Sequence, residues 1–213
     1  KIKDELINST KSINRINVLD IYSTVNYPAG TNAAFDGFAI NSKDTNKLNK
    51  NNSQNFKILK TLSAGDDPKL NKVKKYETVE VMTGALIPKG FDTIIPIEKI
   101  IFHLNNKYIS INDKIKKNQH IRYVGSDYKK KDLIVKKGTI IQPSHVLAFK
   151  TLGITTIKVK KVPNILFFST GNEISNNKNI VNWKVRNSNS HYIKSLSNNF
   201  LFNYIDGGIL RDK

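Results

Sequence analysis

The sequence predicts a multidomain protein of mixed β and α/β structure, in which a β-rich region precedes the start of an α/β region. A chain of 213 residues has room for one large domain or for two to three small ones. Between residues 56 and 112, short β-type runs alternate with turn residues, which is typical of a small β domain or barrel. After Pro163 a continuous apolar strand, a helix and a second strand follow one another, which indicates a βαβ unit that opens a parallel sheet.

The first 112 residues are predicted to contain a helix, a loop and four strands. Residues 3–15 favour a helix, because Ile2, Leu6 and Ile13 recur among polar neighbours. Residues 43–55 are rich in Lys and Asn with little apolar content, so we expect an exposed loop there. The strands are predicted at residues 56–59, 78–82, 93–95 and 108–111.

A second pattern begins near Gln119 and leads into the α/β region. It predicts strands at 132–135 and 139–141, a helix at 143–152 that begins with Pro143 and stops at Gly153, and a strand at 154–159. Beyond Pro163 it predicts a buried parallel strand at 165–168, a helix at about 188–200 and a strand at 202–205. Because one crossover supplies only two strands and the chain does not begin with Met, we expect a fragment of a longer protein.

The chain is strongly basic, with 35 Lys and Arg against 17 Asp and Glu and a formal net charge of +18. Only four of the basic residues are Arg, the side chain that binds bases and phosphates through two parallel hydrogen bonds. Residues 101–161 hold 14 Lys and Arg against three acids. This segment either attracts an anionic ligand or forms a solvated face, and charge alone does not decide between them.

Several classes of protein are excluded by composition. With no cysteine, the chain cannot form disulfides, thiolate metal sites or iron–sulfur clusters. No apolar run approaches the ~18 residues of a membrane span, and the first residues lack the apolar stretch of a signal peptide, so we expect a cytoplasmic location. The common glycine-rich nucleotide motifs are missing, and the His residues lack metal-ligand spacing.

Three motifs place polar side chains beside glycine. At Asp36-Gly37, a carboxylate can hold a cation or orient a hydroxyl, although Asp-Gly is also a favoured turn pair closed by a local side-chain bond. Residues 82–85, Met-Thr-Gly-Ala, end a β run. They form either an anion-binding turn, through the Thr hydroxyl and backbone N–H groups, or an ordinary turn. Residues 169–173, Ser-Thr-Gly-Asn-Glu, follow the predicted parallel strand, where ligands collect in α/β sheets; Glu173 there is either a Mg²⁺ ligand or a solvent-facing acid.

Taken together and in order, these segments resemble the molybdopterin molybdenumtransferase family, which includes the E domain of gephyrin. Residues 28–40 are similar to the family's proline followed by Asn-Ser-Ala-Met-Asp-Gly-Tyr-Ala-Val. Residues 81–98 are similar to its Met-Thr-Gly-Ala-x-x-Pro-x-Gly-Ala-Asp segment, and residues 169–173 to its Ser-Thr-Gly-Asp-Glu. Four further segments resemble family motifs: residues 64–65 the family's Ala-Gly, residues 121–127 its Arg-x-x-Gly-Glu-Asp, residues 152–154 its Leu-Gly-Ile and residues 187–189 its Asp-Ser-Asn.

The resemblance implies an enzyme that takes adenylated molybdopterin, molybdate and Mg²⁺, releases AMP and leaves molybdenum on the dithiolene. By position it assigns Asp36, Thr83 and Glu173 to catalysis, with Asp36 and Glu173 also as ligands of Mg²⁺. It assigns substrate binding to Asn32, Gly37, Gly84, Asp127, Thr170, Gly171, Asn172 and Asn189.

The resemblance also implies an assembly and a domain plan. We expect an elongated homodimer, in which Asp36 and Thr83 of one subunit act across the interface from Glu173 of the other. The molybdopterin adenylyltransferase that supplies the substrate is an expected partner, whereas specific nucleic acids and membranes are not. The implied domains are a β-rich domain (23–122) inserted in a small discontinuous α+β domain (1–22 with 123–161), followed by an incomplete Rossmann-like α/β domain (162–213).

Five positions depart from the family motif and keep other functions open. The family has Ser, Met, Glu, Asp and Asp where this chain has Ala33, Phe35, Ser126, Asn172 and Asn187. Three of these changes remove a carboxylate, which leaves a degenerate site and a non-catalytic binding or scaffold protein as the first alternative. An RNA-binding basic protein is the second, although scarce Arg argues against it. Since the family's later loops are also absent, we expect no turnover by this chain alone.

Overall fold

The computed structural model describes residues 2–49, 51–103, 107–197 and 201–212, which form two compact units. One unit comprises residues 23–132, and the other comprises residues 1–22 and 133–213. Within the described ranges, the strands and α-helices in chain order are β1 (Asp4–Asn8), β2 (Ile21–Tyr22), β3 (Asn32–Ala33), β4 (Gly37–Ile40), β5 (Gln54–Leu62), β6 (Glu77–Val81), β7 (Thr93–Pro96), β8 (Ile101–His103), β9 (Tyr108–Ile111), β10 (Ile121–Arg122), β11 (Leu133–Val135), α1 (Pro143–Thr151), β12 (Thr156–Lys160), β13 (Asn164–Thr170), β14 (Ile174–Ser175), β15 (Val185–Arg186), α2 (Ser188–Leu196) and β16 (Asn203–Leu210).

The unit of residues 23–132 is built on a mixed sheet in the strand order β7-β4-β6-β5-β9-β8. Strand β4 is buried along its whole length between β6 and β7, both antiparallel to it. Alternation along β4 sends Phe38 and Ile40 into one apolar cluster with Phe56 and Ile109, and Ala39 into a second cluster. The four strands predicted between residues 56 and 112 are confirmed as β5, β6, β7 and β9, and the region is rich in β structure as expected.

The two ends of this unit are hydrogen-bonded to each other. The Ser23 N–H donates to the Asp132 carbonyl at 2.8 Å, and the Lys131 N–H donates to the Ser23 carbonyl at 2.9 Å. Outside this sheet the unit contains a short antiparallel pair of β3 and β10 and 3₁₀ helices at Ser42–Thr45 and Ile97–Lys99. The predicted loop at 43–55 is mostly exposed in its described residues, but it begins in the first of these 3₁₀ helices and ends in β5.

The other unit packs α1 against two antiparallel strand pairs, β1 with β12 and β2 with β11. Its apolar cluster contains Val135, Ile141, Phe149, Ile157 and Val159. The predicted helix at 143–152 is confirmed, and Gly153 follows it with φ of +72°, a backbone angle that glycine adopts without a steric penalty. The described residues contain no helix with the length and apolarity needed to cross a membrane.

The predicted helix at 3–15 is wrong. Residues 4–8 form strand β1, and Ser9–Lys11 form a 3₁₀ helix. Pairing with β12 makes burial alternate along the strand, with Glu5 and Ile7 partly buried and Leu6 74% exposed. The few apolar residues of this segment also matched a helical spacing, which led to the wrong prediction. The predicted strand at 139–141 is also wrong, since only an isolated bridge between Ile16 and Ile140 forms there.

The predicted βαβ unit is confirmed, because β13 and β16 pair in parallel on either side of α2 in the chain. The predicted burial of residues 165–168 is wrong: Ile165 is 41%, Leu166 55% and Phe168 40% exposed. Among the described residues this sheet has two strands and contacts one helix, so much of its apolar surface stays accessible. The last predicted helical residues, 198–200, lie outside the described residues.

Candidate functional site

Asp36 and Thr83 are brought together within the unit of residues 23–132, although they are 47 positions apart in sequence. Asp36 lies in the bend between β3 and β4, and Thr83 begins the turn that follows β6. One carboxylate oxygen, Oδ1, accepts a hydrogen bond from the Thr83 backbone N–H at 2.6 Å and another from the Thr83 hydroxyl at 2.7 Å. The predicted local turn bond of Asp36 is therefore replaced by a long-range contact.

The Thr83 turn is itself fixed to β3 by backbone hydrogen bonds. The Ala33 N–H donates to the Ala85 carbonyl, and the Gly84 N–H donates to the Ala33 carbonyl, each at 2.9 Å. Gly84 adopts φ of +85°, which lets the turn reverse direction without strain. Since Ala33 is only three residues from Asp36, both partners of the Asp36–Thr83 contact are held by the same short strand.

Gly37 is required by close packing at the start of β4. A β-carbon built at this position would lie 2.0 Å from the Ile95 carbonyl oxygen, a backbone atom of the neighbouring strand β7. The Asp36 carbonyl accepts a hydrogen bond from the Ile97 N–H at 3.1 Å, just past the end of β7. The Asp-Gly pair thus combines an exposed carboxylate with a backbone that approaches its neighbour too closely for any side chain.

The two Thr83 hydrogen bonds lower the pKa of Asp36 below its ordinary value of 3.8. The hydroxyl bond has the larger effect and the backbone N–H bond the smaller one, while desolvation opposes both. Asp36 is therefore ionised at neutral pH. Its second oxygen, Oδ2, receives no hydrogen bond from the residues that the structure describes.

Asn32 and Asp127 lie on either side of Arg122 in the same unit. Asn32 pairs with Arg122 across β3 and β10, and the Arg122 guanidinium forms a close ion pair with the Asp127 carboxylate. The Ser126 hydroxyl also donates to Asp127, at 3.1 Å. Asp127 is therefore neutralised by a neighbouring cation, unlike Asp36.

Phe35 and His120 form a ring contact that the sequence did not predict. In the structure the Phe35 ring is 52% exposed and contacts His120 edge to face, with 5.1 Å between ring centroids. The Ala34 N–H donates to the His120 carbonyl at 3.0 Å, which fixes the pair beside the bend that carries Asp36. Spacing in the sequence offered no signal for this contact, because 85 positions separate the two residues.

The second group of predicted site residues lies in the other unit, at the carboxyl end of β13. Thr170 ends the strand, and Gly171 follows it with φ of +131°. A β-carbon at Gly171 would lie 2.5–2.7 Å from the carboxyl group of Glu173, which folds back over the glycine. The Glu173 carboxylate forms no hydrogen bond or ion pair with any described residue.

Arg211, which was not among the predicted site residues, holds this loop. Its Nη1 donates to the carbonyls of Gly171 and Asn172 at 3.1 Å and to that of Ile174 at 2.8 Å. Lys184 also donates to the Asn172 carbonyl, at 2.5 Å. Because the predicted strand ended at residue 205, the sequence did not signal that Arg211 directly follows β16, at the sheet edge where β13 also ends.

Asn187 and Asn189 flank the start of α2. Asn187 is buried, and its Oδ1 accepts a hydrogen bond from the Ser169 hydroxyl at 2.6 Å. Asn189 lies exposed in the first turn of the helix. The predicted substrate-binding residues thus separate into Asn32, Gly37, Gly84 and Asp127 in one unit and Thr170, Gly171, Asn172 and Asn189 in the other.

Across the described residues, no three His, Asp or Glu side chains cluster as they would in a closed metal cage. Asp36 and Glu173 nevertheless each present a carboxylate oxygen that has no partner in the described part of the chain, and carboxylate oxygens are the donor type that Mg²⁺ prefers. A magnesium ion that keeps several water or phosphate ligands needs only one or two carboxylates from the protein. The donor chemistry of these residues therefore fits Mg²⁺.

Comparison with known proteins supplies a family context for this geometry. A family model described as the MoeA N-terminal region (domain I and II) matches residues 2–153. The chain is 34% identical over 189 residues to a molybdopterin molybdenumtransferase of Staphylococcus aureus, covering 88% of this chain and 44% of that protein. It is 28% identical over 201 residues to one from Staphylococcus epidermidis, covering 94% of this chain and 47% of that protein.

The fold of the chain also matches that of a solved structure. The crystal structure of a molybdopterin biosynthesis moeA protein from Pyrococcus horikoshii OT3 superposes with a TM-score of 0.90 at 27% sequence identity, over 99% of this chain and 56% of that chain. The chain thus spans about half the length of the curated relatives that it matches.

Proposed function

The chain belongs to the molybdopterin molybdenumtransferase family through its MoeA N-terminal region, and on that basis we propose that it acts in molybdenum cofactor biosynthesis. The proposed reaction transfers molybdenum from molybdate to adenylated molybdopterin with release of AMP. The observation that carries the proposal is the Asp36 carboxylate, which two donors of Thr83 fix and keep ionised, while its second oxygen has no hydrogen-bond donor among the described residues.

Asp36 is proposed to face the phosphate groups of the substrate. Cleavage of a phosphoanhydride by an oxygen nucleophile places negative charge on phosphate oxygens, so a carboxylate alone would repel the substrate. Asp36 and Glu173 would hold Mg²⁺, which supplies the positive charge that offsets the phosphate oxygens when it is bound. The carboxylate of Asp36 is suited to this role because its orientation and its ionisation are both set before substrate arrives.

Thr83 is proposed to position Asp36. Its N–H and O–H both point to Asp36 Oδ1, so neither donor is free for an anion while that contact persists. Thr83 retains hydroxyl lone pairs that can accept a hydrogen bond from a substrate group. Thr83 therefore belongs to the proposed site, but it acts on the substrate mainly by fixing the Asp36 carboxylate.

Glu173 and its loop are proposed to contribute the second carboxylate. Three carbonyls around Glu173 are held by Arg211, which fixes the backbone and leaves the Glu173 carboxylate unpaired among the described residues. The proposal includes a homodimer in which Asp36 of one copy and Glu173 of another act on one substrate. The adenylyltransferase that supplies the substrate is its proposed protein partner.

The decisive experiment measures binding of adenylated molybdopterin to the chain with and without Mg²⁺. We expect Mg²⁺ to tighten binding, and Asp36→Asn and Glu173→Gln each to remove that effect. Asp113→Asn and Asp206→Asn remove one exposed carboxylate from the same two units and should leave the Mg²⁺ effect intact. Equal behaviour of the site variants and these controls would refute the proposal.

A scaffold function is the second candidate, and a specific observation favours it. Ser126, Asn172 and Asn187 stand where the family motif has carboxylates, and Asn187 is occupied by its hydrogen bond to Ser169. Measurement of AMP release distinguishes the two functions. Tight binding of adenylated molybdopterin without any Mg²⁺-dependent AMP release would establish the scaffold.

A further inference from the structure

The first turn of helix α1 is closed by a histidine side chain. Nδ1 of His145 accepts a hydrogen bond from the Gln142 backbone N–H at 3.0 Å. In the other direction, the His145 N–H donates to the Gln142 carbonyl at 3.0 Å, and the Val146 N–H donates to the same carbonyl at 3.3 Å. The residue before the helix and the third residue within it are therefore joined by hydrogen bonds in both directions, as in a capping box.

The acceptor in this cap is one that a proton can remove. The third position of a capping box usually carries Glu or Gln, whose side-chain oxygen accepts the hydrogen bond throughout the neutral range. An imidazole nitrogen accepts a hydrogen bond only while it carries no proton, and histidine takes up its second proton between about pH 5 and pH 8. Protonation of His145 at Nδ1 therefore breaks its bond to the Gln142 N–H.

The polarity of the helix acts in the same direction. The N-terminus of a helix is the positive end of its dipole, so a cation in the first turn is unfavourable. The first turn of α1, all of which the structure describes, contains no Asp or Glu that could offset a charge on His145. Loss of the acceptor and repulsion by the helix dipole both weaken the start of α1 when His145 is protonated.

The elements packed around α1 offer no unpaired acid. They are the 3₁₀ helix that follows β1 and the strands β1, β2, β11 and β12, which contact α1 or share its apolar cluster. Together with Lys150 of α1 itself, their charged or titratable side chains are Lys11, Tyr22, Asp4, Glu5, Lys158 and Lys160. Asp4 is paired with Lys160 at 2.6 Å, and Glu5 forms an ion pair with Arg15. Both acids of these elements are therefore already neutralised by other cations.

The backbone on either side of the cap is held independently of His145. Ile141, directly before the cap, is fully buried, and its N–H donates to the Arg15 carbonyl at 2.9 Å. Further along the helix, Phe149 is fully buried in the apolar cluster of the unit. Loss of the cap should therefore loosen the first turn of α1 without unfolding the unit.

From the Nδ1 hydrogen bond, the helix polarity and the paired acids, we propose that His145 is a proton-sensitive cap, which closes the first turn of α1 at neutral pH and releases it in mild acid. The opened turn binds a proton that the closed turn excludes, so the closed form gains stability as the pH rises and loses it as the pH falls. The inference is independent of the proposed molybdenum transfer, because it depends on neither Asp36 nor Glu173.

The first test uses the natural chain and needs no substitution. ¹⁵N NMR of the His145 ring at about pH 7.5 should show the neutral tautomer with its proton on Nε2, because Nδ1 is the acceptor. Between about pH 7.5 and about pH 5, the protection factor of the Gln142 amide in hydrogen exchange should fall about fivefold, as for loss of a helix cap. The Ile141 amide is the internal control and should keep its protection.

Two variants separate capping from titration. His145→Gln places the usual capping-box side chain at the same position, so the Gln142 amide should stay protected but its protection should no longer depend on pH. His191→Gln is the matched control, because it removes an exposed histidine from the other helix, α2, and should leave the pH dependence at Gln142 unchanged.

Three results would overturn the proposal. The first is a pH dependence of Gln142 protection that persists in His145→Gln. The second is a neutral His145 whose proton lies on Nδ1. The third is an equal loss of protection at Gln142 and Ile141 in acid, since the proton would then act on the whole unit and not on the cap.

Discussion

The carboxylate of Glu173 lies over Gly171, so closely that a β-carbon at position 171 would come within 2.7 Å of it. The glycine therefore determines where the acid can sit. The Glu173 carboxylate occupies the space that a single methyl group at position 171 would fill, so its position depends on the glycine of the Ser-Thr-Gly motif.

Gly171→Ala should displace the Glu173 side chain. Because φ is +131°, the substitution also strains the backbone, and we expect a stability loss of about 1 kcal/mol or more in urea unfolding. Gly138→Ala is the matched control, since Gly138 has φ of +83° but no atom within 4 Å of a built β-carbon. Only Gly171→Ala should change the proposed Mg²⁺-dependent binding of adenylated molybdopterin. If Gly138→Ala changes it equally, the contact between Gly171 and Glu173 has no role in the site.

Gly37→Ala should destabilise the unit of residues 23–132 by about 3 kcal/mol, because the new methyl group meets the rigid Ile95 carbonyl of the adjacent strand. The measurement is urea unfolding followed by circular dichroism. Gly30→Ala is a suitable control, since its β-carbon would meet the flexible end of Leu86, which can move. Similar losses for the two variants would contradict the rigid contact.

Thr83→Val should raise the pKa of Asp36 towards its ordinary value, because it removes the hydroxyl that contributes most to the lowering. Thr83→Ser, which keeps the hydroxyl, should leave the lowered pKa in place. Carboxyl ¹³C chemical shifts of Asp36 measured against pH give the result directly. An unchanged titration in Thr83→Val would show that the backbone N–H alone holds the carboxylate.

The same contact predicts a pH dependence of stability. A carboxyl group whose pKa is lowered by folding stabilises the protein above its unfolded-state pKa, and this stabilisation disappears as the pH falls through the lowered folded-state pKa. The stability difference between the natural chain and Thr83→Val should therefore be constant near neutral pH and shrink below about pH 4. Thermal unfolding at a series of pH values tests this, and a difference that grows in acid would contradict it.

Arg211→Met should loosen the loop that carries Glu173. Methionine keeps an unbranched side chain but has no hydrogen-bond donor, so the three contacts of Arg211 Nη1 with the carbonyls of this loop are lost. We expect the Val185 N–H, which donates to the Glu173 carbonyl at 2.9 Å, to exchange with deuterium about tenfold faster, equivalent to ~1.4 kcal/mol. Amides in the β1–β12 pair serve as the internal control and should be unaffected. Unchanged exchange at Val185 would indicate that Lys184 and the strand pairing hold the loop without Arg211.

Local patterns in the sequence were sufficient to predict the strands between residues 56 and 112 and helix α1. Apolar runs between Gly and Pro specify strands, and Pro143 with Gly153 defines the two ends of a helix. The segment at 4–8 was mispredicted because its strand character comes from pairing with residues 156–160, and no local signal represents that partner.

The candidate site was predictable as separate motifs. The sequence identified Asp36 and Thr83 individually, but their contact depends on register: Gly37 pairs with Val81 across β4 and β6, which brings the residues beyond each strand end together. Arg211 was missed for a similar reason, because its acceptors are carbonyls, which every residue carries. Non-local backbone contacts of this kind leave no residue-specific signal in a single sequence.

The hydrogen bonds between Ser23 and the segment of Lys131 and Asp132 have a practical consequence for protein engineering. Because the two ends of residues 23–132 are hydrogen-bonded to each other, this segment can be exchanged between relatives at two neighbouring junctions. Joining it there costs little additional loop-closure entropy. Chimaeras joined at these junctions test which of the two units determines the proposed Mg²⁺-dependent affinity.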